Sequence, residues 1–329
     1  RFGGGDRLFQ YEYPMYTNES RQKTKGTREP ITNSIKLGTD YYHDKNNMIT
    51  LAITYKHHDD NDYENVTYFN PDYTFESDEF DHGRDIDFEF GYYKDFPQKD
   101  RKLVLEASSS FNDDFGYEHA YSNVNNPSNN ISDHKHNEDD PYHEEDNRNI
   151  IIKSDYTHPY GESSKVEAGF KSTLKSFKKN LNYLETPYDS DYNEQVHAIY
   201  GTLMHNFSDN FGVQLGVRGE QVFNTAIVGS GDSGLDMDSS NIFTLIMNNA
   251  IDQSPFENNY FQIYPSVNML YNLNQTQRIQ FGFSKRVNRP RRRTLSPFPR
   301  STTNISFIRT GNPYLKPEYS DVLDLNFSS

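Results

Sequence analysis

The feature that most constrains this chain is an alternation of apolar and polar residues at every second position, repeated in segment after segment. In Asp85-Ile86-Asp87-Phe88-Glu89-Phe90-Gly91-Tyr92, the residues Ile86, Phe88, Phe90 and Tyr92 share one side, and Asp85, Asp87 and Glu89 the other. The stretches 165–171, 211–218 and 278–284 repeat the pattern. Side chains alternate faces along a β-strand, so a period of two means strands with one greasy face and one wet face.

Eleven such strands are predicted, at 33–42, 48–58, 84–95, 101–113, 148–158, 164–176, 195–207, 211–224, 259–272, 277–287 and 319–328. Their connections alternate. Short ones fall at 43–47, 96–100, 159–163, 208–210 and 273–276; long ones fall at 59–83, 114–147, 177–194, 225–258 and 288–318. Greasy faces can meet each other in a soluble sandwich or meet lipid in a barrel. A sandwich has no reason to put every long connection at one end, and long structureless loops are uncommon in compact soluble domains. Bacterial transmembrane barrels have this asymmetry, with short periplasmic turns and longer extracellular loops. The expected fold is therefore all-β: an antiparallel up-and-down transmembrane β-barrel, partial, with about 11 strands of a larger barrel. It occupies 33–329, and 1–32 reads as a loop or pre-strand segment.

Composition alone points elsewhere. Only 33% of residues are hydrophobic and the mean hydropathy is -0.95, values that suggest disorder or an acidic soluble protein. Phe and Tyr nevertheless make up 15% of the chain, which disordered acidic chains do not. No run of about 18 apolar residues offers a transmembrane helix, but barrel strands are half polar and average hydropathy is silent about them. A net charge of -15 disfavours nucleic acid, whose phosphates would be repelled. The absence of cysteine removes disulfides and thiolate metal sites.

Facing follows from cost. A cation at the bilayer midplane costs about 2–4 kcal/mol and a carboxylate somewhat less, so Asp85, Asp87 and Glu89 are assigned to a wet lumen. Arg218 and Gln280, on the polar side of their own alternating strands, are assigned there too. Tyr41, Tyr42, Tyr92, Tyr93, Tyr156, Tyr160 and Tyr271 gather near the short turns, where an interfacial aromatic girdle would place them. Ordinary β-propensity of tyrosine is the competing account.

Other constellations are weaker. The loop 132–147 holds His134, His136, His143, Glu138, Asp139 and Asp140, but the spacing matches no ligand pattern and a solvated, self-repelling loop is the plainer reading. His57-His58-Asp59-Asp60 at a strand top, and the loop acids Asp189, Asp191, Asp236 and Asp238, receive the same reading, and no metal is assigned. The stretch 229–234 fits G-x-G-x-x-G, yet an acidic loop follows instead of the helix that phosphate binding needs. Arg286, Arg289, Arg291, Arg292, Arg293 and Arg300 form a basic cluster suited to pairing with acidic loops, to the lumen mouth or to lipid A phosphates. There is no HExxH, GxSxG or cysteine nucleophile, so no enzyme activity and no cofactor are expected.

One pair of elements is specific. Arg286-x-x-Arg289-Pro290 is followed by Leu295-x-Pro297-Phe298, and then by Gly311-Asn312-Pro313-Tyr314-Leu315-Lys316-Pro317-Glu318. Together with Tyr41-Tyr42-His43-Asp44-Lys45-Asn46 and the hairpin spanning 195–220, these resemble the outer-membrane β-barrel family of TonB-dependent receptors common in Bacteroidota. The likeness spans about 33–329, although Arg291-Arg292-Arg293 stands where that family usually has polar or aromatic residues. It implies an outer-membrane receptor that binds a scarce nutrient (an iron chelate, glycan, peptide or vitamin) and imports it with energy relayed by TonB. The implied partners are outer-membrane lipid, the TonB complex acting through a plug, and a surface lipoprotein. A non-transport surface barrel, structural or adhesive, is the alternative. The chain opens on Arg1 and ends inside a strand, so it is read as a fragment of a barrel whose plug and C-terminal strands lie elsewhere.

Overall fold

The computed structural model describes residues 22–69, 72–124, 142–161, 163–183, 186–230, 242–296 and 310–329. Alternating segments pair with their neighbours in sequence to build one antiparallel 12-stranded sheet. Its first half comprises β1 (Gln22–Asp44), β2 (Asn47–Phe69), β3 (Asp72–Asp95), β4 (Lys102–Val124), β5 (Tyr142–Pro159) and β6 (Lys165–Tyr183). The chain continues through β7 (Thr186–Ser208), β8 (Phe211–Ser230), helix α1 (Ile242–Asp252) and a two-residue β9 (Phe256–Glu257) that pairs with β8. It ends with β10 (Tyr260–Asn272), β11 (Arg278–Asn288), the short helix α2 (Arg292–Leu295) and β12 (Glu318–Ser328). Among the described residues β1 pairs only with β2 and β12 only with β11, so the sheet is open.

All eleven expected strands are present, but several run far into segments expected to be long connections. The β2–β3 ladder continues from Asn47↔Lys94 to Phe69↔Asp72, and β6–β7 reaches Tyr183↔Thr186. Strand β1 likewise starts at Gln22, inside the segment read as pre-strand. The physical reason is plain. Beyond the membrane the outer face of a strand no longer meets lipid, so the period-2 signal fades while the backbone ladder is still satisfied.

Cross-strand partners share a face, and the register therefore sorts every side chain. Asp85 pairs with Lys56 and Asn112, Asn112 with Asn147, Asn147 with Phe177, Phe177 with Tyr192, and Tyr192 with Ala226. Asp87, Glu89, Arg218 and Gln280 fall on this same face by the same pairings. Helices α1 and α2 pack on it, so it is called the inner face.

The opposite, outer face carries an exposed apolar band. Leu37 (62% exposed), Phe88, Phe170, Ile199 (72%), Leu215 and Leu325 (76%) all belong to it. Water does not tolerate a continuous apolar surface of this extent on a soluble protein; bilayer hydrocarbon does. The band has a charged upper rim. Arg84, Asp113, Asp146, Lys178 and Asp191 are consecutive cross-strand partners on the outer face. From the turn at Asn47 to His57, which pairs with Arg84, is about the ten residues a tilted barrel strand needs to cross hydrocarbon.

The lower edge lies at the short turns. Asp44 accepts hydrogen bonds from the Asn46 N–H (2.7 Å) and the Asn47 amide (2.9 Å), and Asn274 accepts from the N–H of Thr276 (3.0 Å) and of Gln277 (2.9 Å). These side-chain turns close hairpins without long loops. Gly161 supplies the left-handed residue (φ +76) of the turn after β5. Tyr41, Tyr92, Tyr156 and Tyr271 stand on the outer face beside these turns, as a girdle requires, whereas Tyr42 and Tyr93 fall on the inner face by register. The Tyr93 hydroxyl donates to Glu106 across 3.1 Å. Alternation forces this split, because two adjacent tyrosines on a strand cannot share a face.

Candidate functional site

The inner face is charged, and its cations and carboxylates largely neutralise one another, both across strands and along a single strand. Lys56 meets Asp85 at 2.9 Å, Lys36 meets Glu89 at 3.0 Å, and Lys153 meets Asp155 at 2.7 Å. Such a mesh is sustainable against water and not against lipid.

The segment that follows β11 does not extend away from the barrel. It folds back over the inner face as a strap. The Arg289 guanidinium pairs with Glu220 and donates Nε to the Tyr260 hydroxyl at 3.1 Å. Glu220 is only 4% exposed and also accepts from Arg218 Nε at 2.6 Å. Burial of a carboxylate this deep is tolerable because two guanidinium groups hold it. Further along, Leu295 is buried against Phe177 and Tyr192, and the Arg292 guanidinium lies 3.2 Å from the centroid of the Phe177 ring.

The second sequence element pins the strap in place. The Gly311 N–H donates to Ser296 O and the Asn312 N–H to Thr294 O, both at 2.8 Å. A Cβ on Gly311 would collide with Ser296 O and stand 2.6 Å from Thr294 O, so this close backbone approach admits only glycine. The Tyr314 hydroxyl donates to Gln253 at 2.7 Å, and its ring meets Phe256 edge-on at 5.3 Å. Helix α1 in turn buries Met247 and Ala250 against Leu181, Tyr188 and Val228 of the inner face. Strap, pin and helix form one inward-folded unit.

Of the other residues of the two elements, Pro290 lines the cleft beside Arg289. Arg286 donates Nε to Ser284 at 3.2 Å on β11 and Glu318 accepts from Asn288 at 3.2 Å. Leu315 and Lys316 are exposed and Pro313 and Pro317 half-buried, while Pro297, Phe298 and Arg300 lie outside the described residues. So do His134, His136, Glu138, Asp139, Asp140, Asp236 and Asp238. His143, Asp189 and Asp191 stand within ladders, on β5 and β7. His57-His58-Asp59-Asp60, expected at a strand top, lies mid-ladder in β2. Alternation sends His57 and Asp59 outward and His58 and Asp60 inward.

Between strap and wall lies a cleft of about 510 Å³. Cations outnumber carboxylates in its lining: Lys171, Lys175, Arg218, Arg289 and Arg292, among others, face Glu194 and Glu220. Lys175 is paired with Glu194 at 2.7 Å. Arg292 Nη1 is buried and has no hydrogen-bond partner among the described residues. In a chain of net charge -15, a cleft with surplus cationic donors is suited to anionic oxygen. Glu220, Tyr260, Lys171 and Lys175 are not singled out as site residues by the sequence, although the alternation at 165–171 puts Lys171 on a polar face. Alternation puts each on a face, yet nothing periodic tells which loop will cover it.

The family described as the outer membrane protein beta-barrel family matches residues 94–329. No curated protein matches the sequence. Among solved structures the chain is similar to the alcaligin outer membrane receptor of Bordetella pertussis, at 13% identity and a TM-score of 0.49, over 94% of this chain and 47% of that one. It is also similar to a double mutant of the Serratia marcescens hemophore receptor in complex with its hemophore and heme (10% identity, TM-score 0.48, 94% and 48% coverage). A third likeness is to a ferric citrate transporter in its unliganded form (13%, 0.43, 85% and 43%). The chain spans about half the length of these proteins.

Proposed function

This chain belongs to the outer membrane protein beta-barrel family and resides in the outer membrane; from that premise we propose that it forms part of the wall of a TonB-dependent import receptor. The observation that carries the proposal is the inward strap, which narrows the wet side of the wall to a cleft of ligand size. A purely structural wall needs no such cleft. In this reading a nutrient enters from the long-loop end and is held against β6–β8 and the strap. A plug supplied outside this chain then moves on TonB's pull. Arg292 Nη1, without a partner among the described residues, and the surplus of cations favour a ligand presenting carboxylate or other anionic oxygen. A neutral glycan gains less from such donors. A surface lipoprotein over the long-loop end would be a further partner.

Uptake by cells tests this. Cells carrying the protein, cells deleted for it and cells lacking TonB would be offered ferric chelates, cobalamin, peptides and oligosaccharides in turn. Uptake of at least one, lost both on deletion and without TonB, is the expected result. Uptake that persists without TonB, or no deletion-dependent uptake, overturns it.

A second reading rests on the strands themselves. β1 to β4 continue well beyond the charged rim, giving a projecting wall suited to a structural or adhesive surface barrel. Surface attachment lost on deletion, with uptake unchanged, would favour it.

A further inference from the structure

The outer face carries a constellation that an import cleft does not use. Just above the apolar band, His57 and Asp59 stand two residues apart on β2 and so project to the same side. The register places His82 of β3 opposite Asp59. His82 Nδ1 lies 2.7 Å from Asp59 Oδ1, and His57 Nε2 lies 3.2 Å from Asp59 Oδ2. The two imidazole rings meet edge-on with centroids 4.8 Å apart. One ligand atom from each residue lies within 4.8 Å of the others.

We propose that His57, Asp59 and His82 form a surface site for a divalent transition-metal ion of the zinc, copper and nickel class. The donor set makes this choice. Two imidazole nitrogens and one carboxylate suit those ions, whereas Ca²⁺ and Mg²⁺ seek six or more oxygens. Bonds of about 2.0–2.2 Å to nitrogen and oxygen bring ligand atoms to roughly 3–4 Å of one another. Side-chain torsions alone supply that closure. The backbone beneath is fixed, because β2 and β3 pair on both sides of the site, at His57↔Arg84 and Asn61↔Phe80. Arg84, the nearest cation across the ladder, is occupied by Asp113 and so does not oppose an ion at His57.

All three side chains remain open, at 28%, 30% and 44% exposure for His57, Asp59 and His82. The unfilled coordination positions face the layer just above the hydrocarbon. Water or a lipid phosphate oxygen would complete the shell there. A bound ion would tie β2 to β3 at the membrane rim. His58 and His143 belong to the other face, where they meet Asp114 at 3.2 Å and Asp81 at 3.4 Å, and take no part.

The test is Zn²⁺ titration of the protein extracted from outer membranes in detergent, with bound ions counted after dialysis. The wild type and the His58→Ala variant should hold one more ion than His57→Ala/His82→Ala. His82→Ala alone should weaken that ion at least tenfold. Equal ion counts in wild type and the double variant would overturn the site and leave only a hydrogen-bonded trio. A wild-type measurement guards against misfolded variants: Zn²⁺ should slow carbethoxylation of His57 and His82, read by mass spectrometry, while His58 reacts at an unchanged rate. Failure of Zn²⁺ to protect them would equally remove the proposal. Neither result bears on uptake through the cleft.

Discussion

Arg289 of the strap and Glu220 of β8 meet on the inner face of the sheet, and the Tyr260 hydroxyl accepts a hydrogen bond from the same guanidinium. This contact decides whether the post-β11 segment lies inside the wall or swings free. Removing Arg289 leaves Glu220 with Arg218 as its remaining partner, so the carboxylate is not fully orphaned. Arg289→Ala should therefore cost about 1–3 kcal/mol locally and leave the barrel assembled. Trypsin cleavage at Arg291–Arg293 is the readout. The variant should be cut much faster than wild type while heat-modifiable migration on gels is retained; equal cleavage would show that Arg289 does not hold the strap.

Gly311 makes an independent test of the same unit. Its Cβ would strike the Ser296 carbonyl and approach the Thr294 carbonyl to 2.6 Å, and backbone cannot yield as a flexible side chain can. Gly311→Ala should destabilise the strap by about 1–3 kcal/mol and raise trypsin sensitivity as Arg289→Ala does. Gly201→Ala is the control. Its nearest neighbour, Glu167 O, would stand at an ordinary 3.6 Å, and cleavage there should match wild type.

These two positions also show how far the sequence could be read. Alternation alone placed Asp85, Asp87, Glu89, Arg218 and Gln280 on one face, because period two is a property of the strand itself. Arg289 and Gly311 were legible as unusual residues, but their contacts join segments far apart in the chain. No local pattern encodes that. Helix α1 was missed although Met247, Ala250 and Ile251 carry an i, i+3, i+4 signal. One short apolar stretch in a long polar connection was absorbed into the loop. The strand extensions beyond the rim were missed for the opposite reason: their ladders are intact, but without lipid on the outer face the alternation that marks a strand is lost. His82 was likewise invisible as a partner of Asp59, since only the cross-strand register brings β2 and β3 together there.

Asp81 and Asp114 lie on the inner face of β3 and β4, beyond the charged rim and outside the hydrocarbon. Burial raises both carboxyls above the ordinary range, and Asp60 and Asp114 add to the rise at Asp81. His58 and His143 face them, and His58 partly offsets the rise at Asp114. Glu145 on the same face is raised by burial but held down overall by Lys179. A raised folded-state pKa means the native wall binds the proton more tightly than the unfolded chain. The resulting stability is complete below the ordinary carboxylate value of about 4 and is lost as pH rises through the raised values. Amide exchange across 77–83 and 113–117 should therefore speed up as pH climbs through that window, after correction for the intrinsic pH dependence of exchange. Asp81→Asn should flatten the response, and an unchanged profile would mean that the acidic pair does not set it.

The apolar band makes the most direct demand on the membrane assignment. Phe170 of β6 and its partner Ile199 of β7 face outward between the lower girdle and the charged rim. The next residue on β6, Lys171, faces inward and lines the cleft. If lipid covers the outer face, Phe170→Arg buries a cation in hydrocarbon and costs about 2–4 kcal/mol near the midplane. Lys171→Glu exchanges one charge for another on a wet face and should cost under about 1 kcal/mol. Urea titration of protein assembled in lipid vesicles separates the two, through the midpoint of unfolding. A large drop for Phe170→Arg with a small one for Lys171→Glu is expected. The reverse order would mean that the apolar face packs against protein, because a cation tolerated there and a charge swap punished inside cannot both occur with lipid outside and water within.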